Sequence, residues 1–406
     1  MRFISLLAIL IPIPLFFDLV TFNFVYSEYP FGHETKFPIP IGLFAFCLLM
    51  VLFYLLSILK GSSYQHVLSG NVRYFIFVGV LFLFLNGIFI SGLSFVRLLQ
   101  LVLPILFFLL LSLFKDEYKN RTLFLIGIFS FSIFTALHLL SLLLFSEELF
   151  EVSSLEFPMF FGTSIYQSLV SYPAVLSLYF TLFIFLYFSG VVKGFSRLFT
   201  VFSLFVVCFL MLLSARKSVF IEMGWVIFVF LFISPWFLRT KKKIDNWVIN
   251  FFQILFFLMI AIALVRLTPS LERISDSFVS NTFTGGRFEI YSKAIDIISS
   301  DLTGFLFGFG GGVYSFHNFF LDLVFRLGLI STVVYLLVLT SVGYFIYYKV
   351  VYRGITIRLF SLVCIVGQLF IQLLVNSPLT QPYYVINYCF VLLCVIYISN
   401  PSKFSN

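Results

Sequence analysis

What most constrains this chain is the succession of long apolar runs that fills it, joined mostly by short connections. Runs at 3–25, 39–59, 74–91, 94–114, 122–146, 168–189, 198–214, 218–238, 247–267, 319–348, 359–375 and 385–399 reach or approach the roughly 20 residues a helix needs to cross hydrocarbon. In lipid every backbone N–H and C=O must be paired within the protein, and a helix does this inside one segment. The pattern predicts an all-α polytopic protein of about twelve spans, a single membrane domain over 1–406. The run at 319–348 exceeds one span, and Gly328 divides it into a half-buried first part and a true span. No internal repeat stands out.

Composition excludes the soluble alternative. Hydrophobic residues make up 61% of the chain and charged residues 10%, against about 25% charged in soluble domains. The 61 phenylalanines are bulk, not chemistry. The net charge of +8 sits in short loops between apolar runs, so it reports membrane orientation and gives no nucleic-acid signal. Cys47, Cys208, Cys364, Cys389 and Cys394 lie inside apolar runs without metal-ligand spacing, as small buried hydrophobes do. Arg2 before an apolar run resembles a signal peptide, but no small-residue cleavage site follows. An uncleaved first helix is expected.

With the N-terminus in the cytoplasm, alternation puts every short, strongly basic connection inside: Lys60 and Arg73; Lys115, Lys119 and Arg121; Lys193 and Arg197; Arg239 to Lys243; Lys349, Arg353 and Arg358. That is the positive-inside pattern, and it leaves both termini cytoplasmic. The outer side receives Glu147, Glu148, Glu151 and Glu156 and one long polar segment, 268–318. Against the trend, Arg216, Lys217, Arg266, Arg273, Arg287, Lys293 and Arg326 fall at or near the outer surface. Cations placed where topology disfavours them need another reason.

Two stretches supply one. Leu213-Ser214-Ala215-Arg216-Lys217-Ser218 joins two spans by a very short outer turn. Arg216 is either a snorkelling anchor or an anion ligand, since guanidinium matches phosphate oxygens in a planar, bidentate way. Glu222, inside the next span, is placed to pair with a neighbouring cation. The outer segment opens with Gly285-Gly286-Arg287, which puts Arg287 in the first turn of a helix whose apolar positions are Phe288, Tyr291, Ala294, Ile295 and Ile298. Lys293, Asp296 and Ser299 lie mostly on the other face, a spacing suited to a helix lying flat at the interface. Helix N-termini attract anions. Of the glycines Gly304, Gly308, Gly310, Gly311 and Gly312, those in FGFGGG (307–312) suit an anion-binding nest or a flexible gate, without the lysine of a nucleotide loop. His317-Asn318 follows at the mouth of the next span, with Asp322 and Arg326 further along it. Among the four histidines, His317 alone follows a glycine loop. It is either structural or a proton acceptor titrating near neutrality.

Taken together, Ser214-Ala215-Arg216, Gly285-Gly286-Arg287, the glycine cluster, His317-Asn318 and Gly328-Leu329-Ile330 resemble the O-antigen polymerase and O-antigen ligase superfamily of bacterial inner membranes, over about residues 214–330. This chain departs from the pattern at Ser331, where a second glycine is common, and at Ala215, which interrupts a plainer Ser-Arg. The resemblance implies a GT-C-like membrane glycosyltransferase, independent of metal or other cofactor, acting on an undecaprenyl-diphosphate-linked glycan at the periplasmic face. It implies that Arg216 and Arg287, helped by Lys217 and Arg326, bind the diphosphate. Gly285, Gly286, Gly310 and Gly311 would provide loop flexibility, and His317 would activate the acceptor, with Glu222 and Asp322 as substitutes. The partners implied are lipid-linked donor and acceptor glycans, membrane lipid and a chain-length regulator protein. Within the superfamily the polymerase is favoured. The ligase, which moves the polymer to lipid A–core, is the alternative, and a lipid-linked-oligosaccharide flippase is the alternative from another class.

Overall fold

The computed structural model describes residues 21–28, 33–40, 70–90, 117–145, 159–160, 163–164, 168–189, 194–214, 216–233, 287–309, 316, 318–351, 357–375 and 382–398, with isolated positions between them. The helices are α1 (Gly70–Leu85), continued by a π-helical turn Asn86–Ile90, then α2 (Glu117–Phe145), α3 (Ser168–Ser189) and α4 (Phe195–Leu213). They continue with α5 (Lys217–Phe228), extended by a π-helical turn Val229–Ile233, then α6 (Arg287–Ser300), α7 (Leu302–Phe307), α8 (Phe319–Val351), α9 (Ile357–Val375) and α10 (Pro382–Ile398). Five of these hold apolar segments long enough to cross a membrane: Phe124–Leu142, Tyr172–Ser189, Ser196–Leu213, Phe319–Ser341 and Ile357–Leu374. Tyr74–Ile90 and Tyr383–Val395 are shorter apolar helices. The protein is a membrane-embedded helical bundle. Of the remaining apolar runs, 39–59, 94–114 and 247–267 lie largely outside the described residues.

One expectation is corrected. Residues 3–25 were read as helix through Val25, but Thr21–Glu28 (β1) pairs antiparallel with His33–Pro40 (β2), from Thr21 opposite Pro40 to Glu28 opposite His33. The reason is local. Phe22, Phe24 and Tyr26 alternate with smaller residues, which suits a pleated ribbon. Pro38 and Pro40 lack the N–H a helix interior needs, yet are tolerated on a strand that has only edges. A second, minimal ribbon pairs Met159–Phe160 (β3) with Thr163–Ser164 (β4).

Helix α3 is the centre of the bundle. It packs against α4, α5, α9 and α10, and 89% of its span is buried, against 50% for those of α2, α8 and α9. Its aromatic residues fill the space between neighbours: Tyr179 stacks on Phe131 of α2 with centroids 3.5 Å apart and on Phe390 of α10 at 6.5 Å. Helices pack closest where glycine removes the side chain. Gly367 of α9 lies so near Trp225 of α5 that a methyl group there would overlap the indole, whose N–H donates to Val363 O at 3.4 Å. Outward-facing Phe77, Phe89, Phe202 and Phe370 are more than half exposed, as expected where acyl chains replace water.

Helix α8 breaks at Gly328, which takes φ 79° and ψ 165°. That conformation is nearly confined to glycine. The break frees the Leu327 carbonyl, and Asn86 of the α1 π-turn takes it up at 2.9 Å while also donating to Ser331 Oγ at 2.6 Å. Ser331 is thus part of the clasp across the kink.

Candidate functional site

Helix α6 and the first turns of α8 share a small core of their own. Ile290 and Ala294 of α6 pack with Phe316 and with Phe325 of α8. Phe309 stacks on Phe325 at 4.7 Å, and its N–H donates to Phe325 O at 3.0 Å. Lys293, Asp296 and Ser299 face outward as the periodicity predicts, but Ile295 is 63% exposed and Ile290 takes the buried place. The apolar face is centred one residue earlier than expected.

Gly304 lies inside α7, a short helix capped by Asp301, whose carboxylate accepts from the Gly304 N–H at 2.9 Å. Gly308 ends that helix at φ 104°, and its N–H bonds to Gly304 O at 2.7 Å, so it is not directed at an anion. Gly310, Gly311 and Gly312 lie outside the described residues, as do Gly285 and Gly286.

Asn318 caps α8. Its Oδ1 accepts from the N–H groups of Phe320 and Leu321 at 3.0 and 3.2 Å, satisfying two of the donors that a helix start leaves open. Its Nδ2 reaches across to Leu374 O, near the end of α9, at 3.5 Å. Asp322 is 2% exposed, and its carboxylate accepts from the Phe316 N–H at 2.8 Å. Arg326 is half-buried, one helical turn further on. His317 itself lies outside the described residues.

On the other side, α4 ends at Ser214, whose Oγ donates to Met211 O at 2.6 Å. Arg216 has extended backbone (φ −85°, ψ 123°) and starts α5, its carbonyl accepting from Val219 N and Phe220 N. No side chain caps this helix start, so its first N–H groups and dipole coincide with two half-buried cations, Arg216 and Lys217. Burial pulls the Arg216 guanidinium below its ordinary pKa, which raises the gain from an anionic partner. Arg287 begins α6, and the placement of its side chain lies outside the described residues.

Glu222 lies six residues beyond Arg216, about 9 Å along the helix. It is fully buried. A cationic partner was expected. Instead Ser177 of α3 and Gln372 of α9 hydrogen-bond its two oxygens. The network continues inward: Gln368 Nε2 donates to Ser177 O at 2.8 Å and Thr181 Oγ1 to Gln368 Oε1 at 3.0 Å. Sequence reading missed Ser177, Thr181, Gln368 and Gln372. The available signal was two i, i+4 polar pairs inside apolar runs, a spacing that puts each pair on one helix face.

The last turns of α9 tie these pieces together. Gln372 reaches Glu222, and Leu374 O receives Asn318. The turn bearing Arg216 and Lys217, the buried Glu222, and the Asn318–Asp322–Arg326 start of α8 therefore gather at one end of the bundle, with α6 packed on the same part of α8. This chain matches no protein-family model, no curated protein and no solved structure.

Proposed function

We propose that this protein is an O-antigen polymerase, a metal-independent glycosyltransferase that joins undecaprenyl-diphosphate-linked repeat units at the periplasmic face of a bacterial inner membrane. In this reading the chain has about twelve spans in a GT-C-like arrangement with both termini cytoplasmic. Residues 268–318 form its large periplasmic loop. Arg216 and Arg287, with Lys217 and Arg326, hold the donor's diphosphate. The acceptor sugar's hydroxyl oxygen attacks the donor's anomeric carbon, the bond from that carbon to the diphosphate breaks, and the hydroxyl proton passes to His317. Negative charge grows on the leaving diphosphate, and fixed guanidinium groups at a partly dehydrated surface stabilise it without a metal.

The observation that carries this reading is the shared anchoring on the end of α9, where Gln372 and Leu374 tie the Arg216 helix to the start of α8. Arg216, Lys217 and Glu222 on α5 and Asn318, Asp322 and Arg326 at the start of α8, a hundred positions apart in sequence, share that end of the bundle. An uncapped helix start under Arg216 and Lys217 adds a dipole of the sign a diphosphate needs.

The test is deletion of the gene, complementation with wild type or Arg216→Ala, and a lipopolysaccharide gel. A ladder collapsed to core plus one repeat, in both the deletion and the Arg216→Ala strain, supports the polymerase. Loss of all O-antigen from core, with polymer left on its carrier, supports the ligase instead. A normal ladder with Arg216→Ala overturns the assigned diphosphate site. The flippase reading draws on the buried carboxylate of Glu222, since transporters place polar groups within the bilayer. It requires repeat units to accumulate in the cytoplasmic leaflet of the deletion strain.

A further inference from the structure

The hydrogen bonds around Glu222 fit a protonated carboxyl group. Ser177 has one hydroxyl proton and two oxygen neighbours, Ala174 O at 2.8 Å and a Glu222 oxygen. The Ala174 carbonyl is the ordinary back-bonding acceptor for a serine inside a helix. With the proton given there, Ser177 Oγ offers Glu222 only lone pairs, and the proton between the two oxygens belongs to Glu222. The other Glu222 oxygen accepts from Gln372 Nε2, as the carbonyl of an acid does. Gln368 and Thr181 complete the chain of donors and acceptors with no charge in it.

The surroundings favour the same state. Glu222 is fully buried, and its partners on α3 and α9 are neutral. From α10, Tyr384 comes within electrostatic range; its own hydroxyl is buried and makes no hydrogen bond. On α5 itself the cations Arg216 and Lys217 sit about 9 Å away along the axis. A carboxylate in such a place, without a paired cation, is far more costly than the acid.

We infer that Glu222 carries its proton at neutral pH and that this neutral carboxylic acid clasps α5 to α3 and α9 beneath the Arg216 turn. Glu222 is then a positioning residue: an acid that already holds its proton does not take another from a sugar hydroxyl. The inference goes beyond the glycosyl-transfer reading and does not depend on it.

The experiment uses the full-length protein purified in detergent. An infrared difference spectrum of wild type minus Glu222→Gln at pH 7 reads the carbonyl stretch of a protonated carboxyl group directly. Thermal unfolding of Glu222→Gln and Glu222→Ala reads the clasp. The expected result is a protonated-carboxyl band that disappears in Glu222→Gln. Glu222→Gln, whose amide also donates to Ser177 and accepts from Gln372, should keep the wild-type melting temperature, and Glu222→Ala should lower it. Absence of the band overturns the protonation state, and a Glu222→Gln protein as unstable as Glu222→Ala overturns the clasp. If Glu222→Ala yields no folded protein, the infrared spectrum and the Glu222→Gln melting temperature still decide. Loss of the polymerase reading on a gel changes neither outcome.

Discussion

Replacing Gly328 by alanine tests the kink in α8 and the close approach of α7 to it. Two costs are separable. The first is backbone: φ 79° with ψ 165° lies in a region essentially closed to residues with a Cβ, which costs about 1–3 kcal/mol. The second is packing: a methyl group on Gly328 would run into the backbone of Leu306, Phe307 and Gly308 at the end of α7, and overfilling a packed contact costs about 1–3 kcal/mol. Backbone atoms do not swing aside like a side chain, so the two add, to about 2–6 kcal/mol. Relief by straightening α8 would tear α7 from its seat and pull Leu327 O away from Asn86. The buried thiols Cys208, Cys364, Cys389 and Cys394 supply the assay, because a thiol-reactive fluorophore reports their exposure as purified protein is heated in detergent. Gly224→Ala is the control. Nothing lies within 4 Å of a Cβ there, and alanine in a helix gains about 0.5–1 kcal/mol over glycine. A Gly328→Ala protein that melts with the Gly224→Ala control would refute the kink and the close approach of α7.

Further outcomes follow from the same contacts. Asn86→Ala removes both bonds across the kink and should destabilise the protein by about 1–2 kcal/mol, read as earlier thiol exposure on heating. Asn318→Ala removes the cap of α8 at a cost of about 1 kcal/mol, so the amides of Phe320 and Leu321 should exchange with deuterium several-fold faster while those of α3 do not change. Gly367→Val forces Trp225 away from α9, which should cost about 1–3 kcal/mol and shift the indole fluorescence as its bond to Val363 O is lost. Arg216→Lys keeps the charge but not the bidentate geometry. If Arg216 grips a diphosphate, this variant should shorten the O-antigen ladder on a gel, while Lys217→Arg should not.

How much of this was legible beforehand differs by element. The spans at 168–189, 198–214 and 359–375 agree closely with Ser168–Ser189, Phe195–Leu213 and Ile357–Val375, because a helix in lipid ends where its apolar run ends. Gly328 was legible as a divider, since the apolar run at 319–348 is longer than one span needs. The β1–β2 ribbon was not: alternation and proline were overridden by the length of the neighbouring apolar run. Arg216 and Lys217 drew attention in the sequence, but the polar network buried beneath them did not, and Glu222, expected beside a cation, meets Ser177 and Gln372.

The amino-acid sequence by itself determined that the chain is a helical membrane protein and where many of its helices start and stop. Those follow from hydrocarbon length and charge, which are properties of single segments. Only the tertiary structure decided that α3 is central, that Glu222 meets Ser177 and Gln372, and that the end of α9 joins the Arg216 helix to Asn318. Helices that are apolar on every side carry no face signal to name their neighbours. In lipid the choice is left to close packing at residues such as Gly367 and to a few polar side chains that must find one another.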